Sequence, residues 1–183
     1  EAGGWTVHTA AGPVSAREAV VALGPWSDEI TRALGYRFPL AVKRGYHMHY
    51  GVRDEARLHN PMLDAEGAYF IGSMRRGIRV TTGAEFAPRD APGTPVQMDA
   101  VERLARATFP LGERLDREPW MGSRPCLPDM LPVIGKAPRH AGLWLAFGHH
   151  HQGFTLGPVT GRLLAEMMTG EPPVADPAPF SPA

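Results

Sequence analysis

Three consecutive histidines lie in a turn bounded by glycines, Gly148-His149-His150-His151-Gln152-Gly153. The turn follows an apolar run at 143–147, typical of a buried strand, and precedes a helical pattern that continues to Gly170. At the amino end of a helix, unpaired backbone N–H groups and the helix dipole favour negative charge or a polar carbonyl. The glycines permit a flat ligand to approach the backbone closely. The sequence therefore indicates an anion or carbonyl site, with an ordinary strand-to-helix turn as the alternative.

Histidine is also a zinc ligand, so a metal site at His149 to His151 is a second hypothesis. Neighbouring side chains on a turn point in different directions, whereas zinc ligands usually come from spaced positions. Cys126, the single cysteine, lies far from the histidines in sequence and completes no familiar metal pattern. We therefore predict no metal site. We interpret Cys126 as a small buried hydrophobic residue in preference to a nucleophile.

Arg124 is conspicuous because it opens a stiff, mostly apolar segment that contains Pro125, Pro128 and Pro132. A guanidinium held on rigid backbone can clamp a carboxylate through two parallel hydrogen bonds. The alternative is a structural ion pair with Asp129 or another acid. Asp129 itself fits a turn or capping residue better than an acid catalyst.

The hydrophobic pattern predicts a mixture of strands and helices. Period-two alternation and short apolar runs predict strands at 5–9, 19–23, 43–52, 69–71, 78–85 and 143–147. Helical spacing of apolar residues predicts helices at 28–34, 95–109 and 153–170. Ser27 is the expected N-cap of the first helix. The proline-rich residues 171–183 should run extended over the surface.

The composition fits a folded protein without an excess of charge. The chain has 183 residues, 43% of them hydrophobic, and 19 basic residues balance 19 acidic ones. This balance argues against a nucleic-acid or anionic-membrane partner, and the apolar runs are shorter than the roughly 20 residues that span a bilayer. A single cysteine fits a reducing compartment, so we predict a cytoplasmic protein. The start Glu1-Ala2-Gly3 lacks a methionine and a signal sequence, which predicts an internal boundary of a longer protein.

Three segments resemble, in order, motifs of the FAD-dependent D-amino-acid oxidase superfamily, in the branch of glycine oxidase, sarcosine oxidases and D-amino-acid dehydrogenases. Residues 19–27 are similar to the family's strand ending in Ala-x-Gly-x-Trp-Ser. Residues 124–135 match its Arg-Pro-x-Thr-Pro-Asp-x-x-Pro-x-Ile-Gly run, although Leu127 replaces the threonine. Residues 148–161 match its Gly-His-x-x-x-Gly-x-x-x-x-Pro-x-x-Gly turn and helix. The last two motifs together are specific, and the likeness covers nearly the whole chain.

The resemblance implies an α+β fold, in which an antiparallel β-sheet substrate domain with helices accompanies the C-terminal portions of a Rossmann-like FAD-binding domain. It places the end of the FAD-binding domain at residues 1–38, the substrate-binding domain at 39–118, and the returning part of the FAD-binding domain with the tail at 119–183. The Gly-x-Gly-x-x-Gly fingerprint that normally holds the dinucleotide pyrophosphate is absent from the sequence. We therefore expect that a missing N-terminal segment, or another chain, helps to hold FAD.

The resemblance also implies roles for individual residues. Arg124 would bind the substrate carboxylate, with Tyr69 and His150 as further substrate contacts and Phe70 as the alternative to Tyr69. Arg79 falls near a lysine that sarcosine oxidases carry beside the flavin, or it is an ordinary solvated strand residue. The flavin should be non-covalent, because the flavin-linking cysteine of sarcosine oxidases would fall near Gly122 and not at Cys126. The expected cofactor contacts are Ala22, Gly24, Trp26, Arg124, Gly148, His149, Gln152, Gly153, Phe154 and Thr155.

The activity implied by the resemblance is oxidation of a D-amino acid or related amine. Hydride would pass from the substrate to FAD, giving an imino acid and then a 2-oxo acid, with oxygen or a quinone as the final electron acceptor. A protein base is not required when the amine binds in its neutral form. The alternative is a flavin-free ligand-binding or subunit-interaction module derived from the same fold.

Overall fold

The computed structural model describes residues 3–182, and this part of the chain has an α+β fold. The helices are α1 (Ser27–Ala33), α2 (Val96–Thr108) and α3 (Gly153–Thr169), with short 3-10 turns at Gly24–Trp26 and Ala178–Phe180. The strands are β1 (Trp5–Thr9), β2 (Gly12–Ala16), β3 (Ala19–Val21), β4 (Ala41–Val52), β5 (Met62–Asp64), β6 (Tyr69–Met74), β7 (Gly77–Thr81), β8 (Glu85–Phe86), β9 (Leu111–Arg114), β10 (Trp120–Cys126), β11 (Val133–Lys136) and β12 (Leu143–Phe147).

The chain divides into two compact units. Unit 1 runs to Ala41 and resumes at Arg124, and unit 2 is Val42–Ser123. The second boundary between the units falls inside β10. The domain boundaries that the resemblance implies, at 38/39 and 118/119, stay a prediction. Which ligand each unit binds stays a prediction. Between Gly3 and Pro182, no helix is long and apolar enough to cross a membrane.

Unit 1 is built on a three-stranded sheet in the order β11-β12-β3. β12 pairs in parallel with β3 and antiparallel with β11. One face of the sheet packs on aromatic and aliphatic residues that include Tyr36, Phe38 and Leu127. On the other face, Ile134 and Trp144 pack against Leu163 and Leu164 of α3. The apolar residues whose spacing predicts α3 therefore form the stripe by which the helix packs against the sheet.

Unit 2 is built on an antiparallel sheet in the order β10-β4-β7-β6-β5, with β8 and β9 also pairing with β4. Because side chains alternate along a strand, one face of the sheet is apolar and packs against α2. That core consists of Tyr46, Met48, Tyr50, Tyr69, Ile71, Ile78 and Val80 from the sheet, with Met98, Val101 and Ala105 from α2. The opposite face carries His47 and His49 of β4, as the period-two pattern predicts.

Three local predictions are corrected by the structure. α1 begins at Ser27 with Trp26 as its N-cap, so Ser27 is not the cap. Its buried hydroxyl accepts a hydrogen bond from the Leu23 N–H at 3.2 Å. The strand expected at 78–85 is interrupted at Thr82, whose N–H donates to the Tyr46 carbonyl at 2.9 Å. The tail is not wholly extended, because it forms the turn Ala178–Phe180 and packs Phe180 against α3 and β11.

A buried arginine anchors the loop that leaves β8. The Arg44 side chain is 1% exposed, and its Nε donates to Glu85 Oε2 at 2.7 Å. Its remaining N–H groups donate to the carbonyls of Pro88, Ala91 and Pro92. Such a cation is stable in a protein interior only while its partners remain in place.

The Glu85 carboxylate should make the stability of unit 2 depend on pH. Hydrogen bonds from Arg44 and Thr94, together with one from Tyr46, lower the pKa of the Glu85 carboxyl from 4.5 to about 2. A depressed folded-state pKa stabilises the fold fully above the ordinary pKa, and this stabilisation is lost as the pH falls through about 2. We expect Glu85→Gln to lower Tm at neutral pH, and the gap from wild type to narrow as the pH falls below 4.5.

Thermal melts followed by circular dichroism between neutral pH and pH 2.5 measure this gap. Glu113→Gln removes a carboxylate from an exposed position of the same unit and serves as the control. A gap that stays constant over this range, or equals that of Glu113→Gln, would contradict the assignment.

Candidate functional site

The parallel pairing of β3 and β12 brings two predicted segments to one edge of the unit 1 sheet. Leu145 of β12 lies opposite Val21 of β3, so both strands end at the same edge. Gly24 follows β3, and Gly148 follows β12. Ligands of open α/β sheets bind at the carboxyl ends of parallel strands. This edge is therefore the candidate site of unit 1.

A third segment reaches the same edge because β11 is antiparallel to β12. Val133, the first residue of β11, lies opposite Phe147, the last residue of β12. The end of β10, which leads into the loop before β11, is tied to the histidine turn, since the His150 N–H donates to the Pro125 carbonyl at 2.9 Å. The Leu127 N–H donates in turn to His150 Nε2 at 3.3 Å. Hydrogen bonds thus join the first residues of the two specific sequence motifs, 124–135 and 148–161.

Gly148 is required by the shape of this turn. Its φ is +90°, in the region that L side chains rarely adopt, and a Cβ there would lie 2.6 Å from Leu127 Cδ1. Leu127, which stands where the family commonly has threonine, is buried at 6% exposure and packs beneath the turn. The departure from the family pattern therefore has a structural role here.

Two of the three histidines stabilise the turn itself. The His149 Nε2 lies 2.9 Å from the Thr160 hydroxyl in α3. Burial, with a contribution from His150, lowers the pKa of His149, so its ring is neutral at pH 7. The buried His150 ring accepts the Leu127 hydrogen bond at Nε2, which requires the tautomer protonated on Nδ1. Both rings are thus engaged within unit 1, whereas His151 is exposed.

The three histidines do not converge on one point. Across residues 3–182, no group of three or more His, Cys, Asp or Glu side chains is arranged to hold a metal ion. Cys126 is buried at 4% exposure, as its apolar surroundings predict.

The amino end of α3 is open to a ligand. The helix begins at Gly153 after the N-cap Gln152, whose side chain forms no capping hydrogen bond within the described residues. Gly153, Phe154 and Thr155 are all exposed, and Phe154 is 100% exposed. The first backbone N–H groups of a helix have no intrahelical acceptor. They offer donors and a positive dipole end to a carbonyl or an anion.

A pocket of about 290 Å³ lies beside this helix end. The turn residues 149–152 form its polar side. Its other walls are mostly apolar and come from β11, α3 and the tail, with Ile134, Leu156, Val159, Leu163 and Phe180 among them. The sequence did not predict this pocket, because its walls come from three segments that are distant in the chain.

Three other predicted cofactor contacts follow β3, the strand that ends at the same edge of the sheet. Ala22 is exposed, Gly24 has a φ of +54°, and Trp26 is 51% exposed. Arg124 is partly buried within β10, a strand that the sequence pattern did not predict. Asp129 acts as a turn residue, because its Oδ1 accepts a hydrogen bond from the Leu131 N–H at 3.1 Å.

Tyr69 and Phe70 have opposite environments in unit 2. Tyr69 is 1% exposed in the core, where its hydroxyl lies 2.9 Å from the Thr108 hydroxyl. Phe70 is partly exposed on the sheet face opposite α2. Burial of Tyr69 means that it could meet a substrate only if the core opened, so Phe70 is the better candidate for a ligand contact on β6.

Substitution of Gly148 should damage the fold of this site. We expect Gly148→Ala to destabilise unit 1 by about 1–3 kcal/mol, because alanine strains this backbone conformation and collides with Leu127. Gly157→Ala is a matched control, since Gly157 lies in α3 with open space around its Cβ position. There alanine should stabilise the helix by about 0.5–1 kcal/mol. Urea unfolding measures both, and equal effects would contradict the role of Gly148.

Comparison with known proteins places this geometry in a family. The model of the DAO family, described as FAD dependent oxidoreductase, matches residues 1–167. Glycine oxidase of Pseudomonas aeruginosa is 34% identical over 180 residues, covering 97% of this chain and 48% of the relative. D-amino acid dehydrogenase 2 of Mesorhizobium japonicum is 32% identical over 175 residues, covering 93% of this chain and 41% of the relative. The chain thus spans about half the length of these relatives.

Solved structures share the fold over the same extent. Glycine oxidase from Geobacillus kaustophilus superposes with a TM-score of 0.79 at 24% identity, over 98% of this chain and 49% of that one. Iminodiacetate oxidase from Chelativorans sp. BNC1 has a TM-score of 0.76 at 26% identity, over 94% of this chain and 48% of that one. The resemblance inferred from the motifs at Arg124 and Gly148 is confirmed, and the chain belongs to the DAO family of FAD-dependent oxidoreductases.

Proposed function

We propose that this chain supplies the substrate clamp and the flavin-ring edge of an FAD-dependent oxidoreductase that oxidises glycine or a D-amino acid. The observation that carries the proposal is the shared sheet edge of unit 1, where an open helix end and a glycine turn lie together. The relatives named glycine oxidase and D-amino acid dehydrogenase support an amino acid as substrate.

The residues at this edge fit the ring end of FAD. Gly153, Phe154 and Thr155 are exposed residues, and the backbone N–H groups of a first helical turn suit the carbonyl groups of a flat ring. Gly148 has no Cβ, so the turn can lie directly against the Leu127 side chain. We assign the further contacts to Ala22, Gly24, Trp26, Arg124, His149 and Gln152.

The proposed flavin is non-covalent. Cys126 is 4% exposed, so its thiol is poorly placed to form a bond with a cofactor. Sarcosine oxidases with a covalently bound flavin carry the linking cysteine near position 122. This chain has Gly122 there, which has no thiol. The pyrophosphate grip would come from a Gly-x-Gly-x-x-Gly segment, which these residues do not contain.

In this proposal the protein contributes mainly by positioning the substrate. FAD, when bound, supplies the acceptor for the hydride that leaves the substrate carbon. Arg124 binds the substrate carboxylate through the two parallel N–H groups of its guanidinium, which fixes the orientation of the amino acid. Holding the reactants in this way removes much of the entropic barrier. A substrate amine that binds neutral needs no protein base, and the imino acid product is then hydrolysed to a 2-oxo acid.

Flavin binding can be tested at the helix end. Gln152→Glu adds a negative charge at the N-cap of α3, where it competes with the flavin carbonyl for the same N–H groups. We expect it to weaken FAD binding about 5–10-fold, from an electrostatic effect on the order of 1 kcal/mol. Quenching of flavin fluorescence during titration of a protein that joins this chain to a Gly-x-Gly-x-x-Gly segment, with the accompanying shift of the visible spectrum, measures the affinity.

Gln97→Glu is the matched control, because it adds the same charge to α2 in unit 2. Equal affinities for the two variants would contradict the assignment of the helix end. If the joined protein without these substitutions leaves the flavin spectrum unchanged, a flavin-free binding module is favoured instead.

The role of Arg124 can be tested by turnover. In a protein that joins this chain to a Gly-x-Gly-x-x-Gly segment, Arg124→Lys keeps the charge but loses the parallel hydrogen bonds. We expect kcat/KM for glycine and D-alanine to fall about 10–100-fold, since a hydrogen bond to a charged group contributes about 1.5–3 kcal/mol. Arg37→Lys changes an exposed arginine of the same unit and should leave kcat/KM unaltered. Unchanged turnover in Arg124→Lys would exclude the clamp.

A further inference from the structure

The pocket beside the amino end of α3 has apolar walls and one polar end. It encloses about 290 Å³ and lies wholly within unit 1. Its polar end is the turn 149–152 together with Thr160, whose hydroxyl lies 2.9 Å from His149 Nε2. The other lining residues are all apolar and come from the loop before β11, from β11, from α3 and from the tail. No acidic residue, lysine or arginine is among the described residues that line it.

The pocket lies on the flank of α3 that faces β11. The apolar α3 residues that line it, Leu156, Val159 and Leu163, recur every three or four positions and therefore share one flank of the helix. Ile134 of β11 lines it as well, and β11 and β3 lie at opposite ends of the unit 1 sheet. Residues 153–155, whose N–H groups we assign to the flavin, do not line the pocket. The pocket thus shares the turn with the proposed flavin site but not its hydrogen-bond donors.

The tail wall of the pocket is fixed to the rest of unit 1. The buried carboxylate of Glu166 accepts hydrogen bonds from the Val174 N–H and from Arg162 Nε, the latter at 2.7 Å. Phe180 packs on the apolar cluster between α3 and the sheet. The two tail residues that line the pocket, Ala175 and Phe180, are therefore held by a hydrogen bond at the neighbouring residue and by packing.

Gln152 offers hydrogen-bonding groups to a ligand at the polar end. His149 and His150 are engaged through their Nε2 atoms, by Thr160 and by the Leu127 N–H. The Gln152 side chain forms no hydrogen bond with the other residues between 3 and 182. Its amide has both donors and an acceptor, so it can bind a hydroxyl or a carbonyl group. A single neutral polar group therefore suits this end of the pocket.

We propose that this pocket binds a small neutral molecule with an apolar body and one hydroxyl or carbonyl group, which lies at Gln152. Pockets for small molecules begin at roughly 300 Å³, so the volume fits a small occupant. Burial of the apolar body against the walls drives binding. A charged occupant would lose water without gaining an ion pair from the lining residues. The occupant therefore differs in class from the amino acid proposed for Arg124, and its binding does not require flavin.

The test uses n-hexanol as the probe and the methyl resonances of methionine as the signal. Isotopic labelling of the methionine methyl groups gives eight resonances, and that of Met130 in the pocket wall is assigned by its loss in Met130→Leu. Met74, which is partly exposed in unit 2, is assigned in the same way and reports non-specific contact. We expect a saturable shift at Met130 in the wild-type chain without flavin, and no shift at Met74.

Filling the pocket tests whether the signal arises there. Val159→Trp places an indole among the apolar walls, so we expect n-hexanol to bind about 10-fold more weakly or worse, because the apolar contact is lost. Ala165→Trp adds the same ring to an exposed position of α3 outside the pocket and should retain wild-type affinity. Val159 is itself 46% exposed, so both variants should keep the helical circular dichroism signal of the wild type.

A comparison of polar groups needs only the wild-type chain. Hexanoate has the same number of carbon atoms as n-hexanol but carries a charge, so the proposal requires it to bind at least about 10-fold more weakly at neutral pH. Three results would each overturn the site: hexanoate binding as tight as that of n-hexanol, equal affinities in Val159→Trp and Ala165→Trp, or a Met130 shift that rises linearly or is matched at Met74.

Discussion

The parallel pairing of β3 with β12 is the constraint on which the candidate site of unit 1 depends. β3 has only three residues, and the Ala19 N–H donates to the Gly142 carbonyl at 2.8 Å as the pairing begins. Parallel strands end at the same edge of a sheet, so this short ladder brings the segments after Val21 and Phe147 together. An antiparallel arrangement would send them to opposite edges, and the helix end would then lie far from Gly24.

The turn after β12 remains fixed because its polar groups are satisfied by the neighbouring loop. His150 takes a positive φ of +56°, which costs a residue with a Cβ free energy on the order of 1 kcal/mol. Hydrogen bonds to Pro125 and Leu127 offset that cost. The same bonds hold the segment after Arg124 at a set distance from the helix end. The position of the segment after Arg124 relative to the amino end of α3 is thus set by backbone groups and by the His150 imidazole.

Much of this arrangement could be predicted from the sequence, and the failures have physical causes. The helices, the strands at 43–52 and 143–147, and the site at Gly148 have periodic or local signals. β10 was not predicted, because it contains Pro125 and proline argues against a strand. The strand forms nevertheless, because β10 lies at the edge of its sheet, where a missing N–H is tolerated. Tyr69 and Phe70 are adjacent, so the sequence does not show which of the two side chains faces α2, whereas the register of β6 with β7 does. The ion pair between Arg76 and Asp116 joins residues 40 positions apart, and no sequence spacing predicts it.

A helix end and a guanidinium attract negative charge in different ways, and unit 1 contains both, at α3 and at Arg124. The amino end of α3 presents several N–H groups and a diffuse dipole, which suit any flat acceptor that reaches them but discriminate little by shape. The guanidinium of Arg124 is planar and directional, so it suits a planar anion better than a diffuse one.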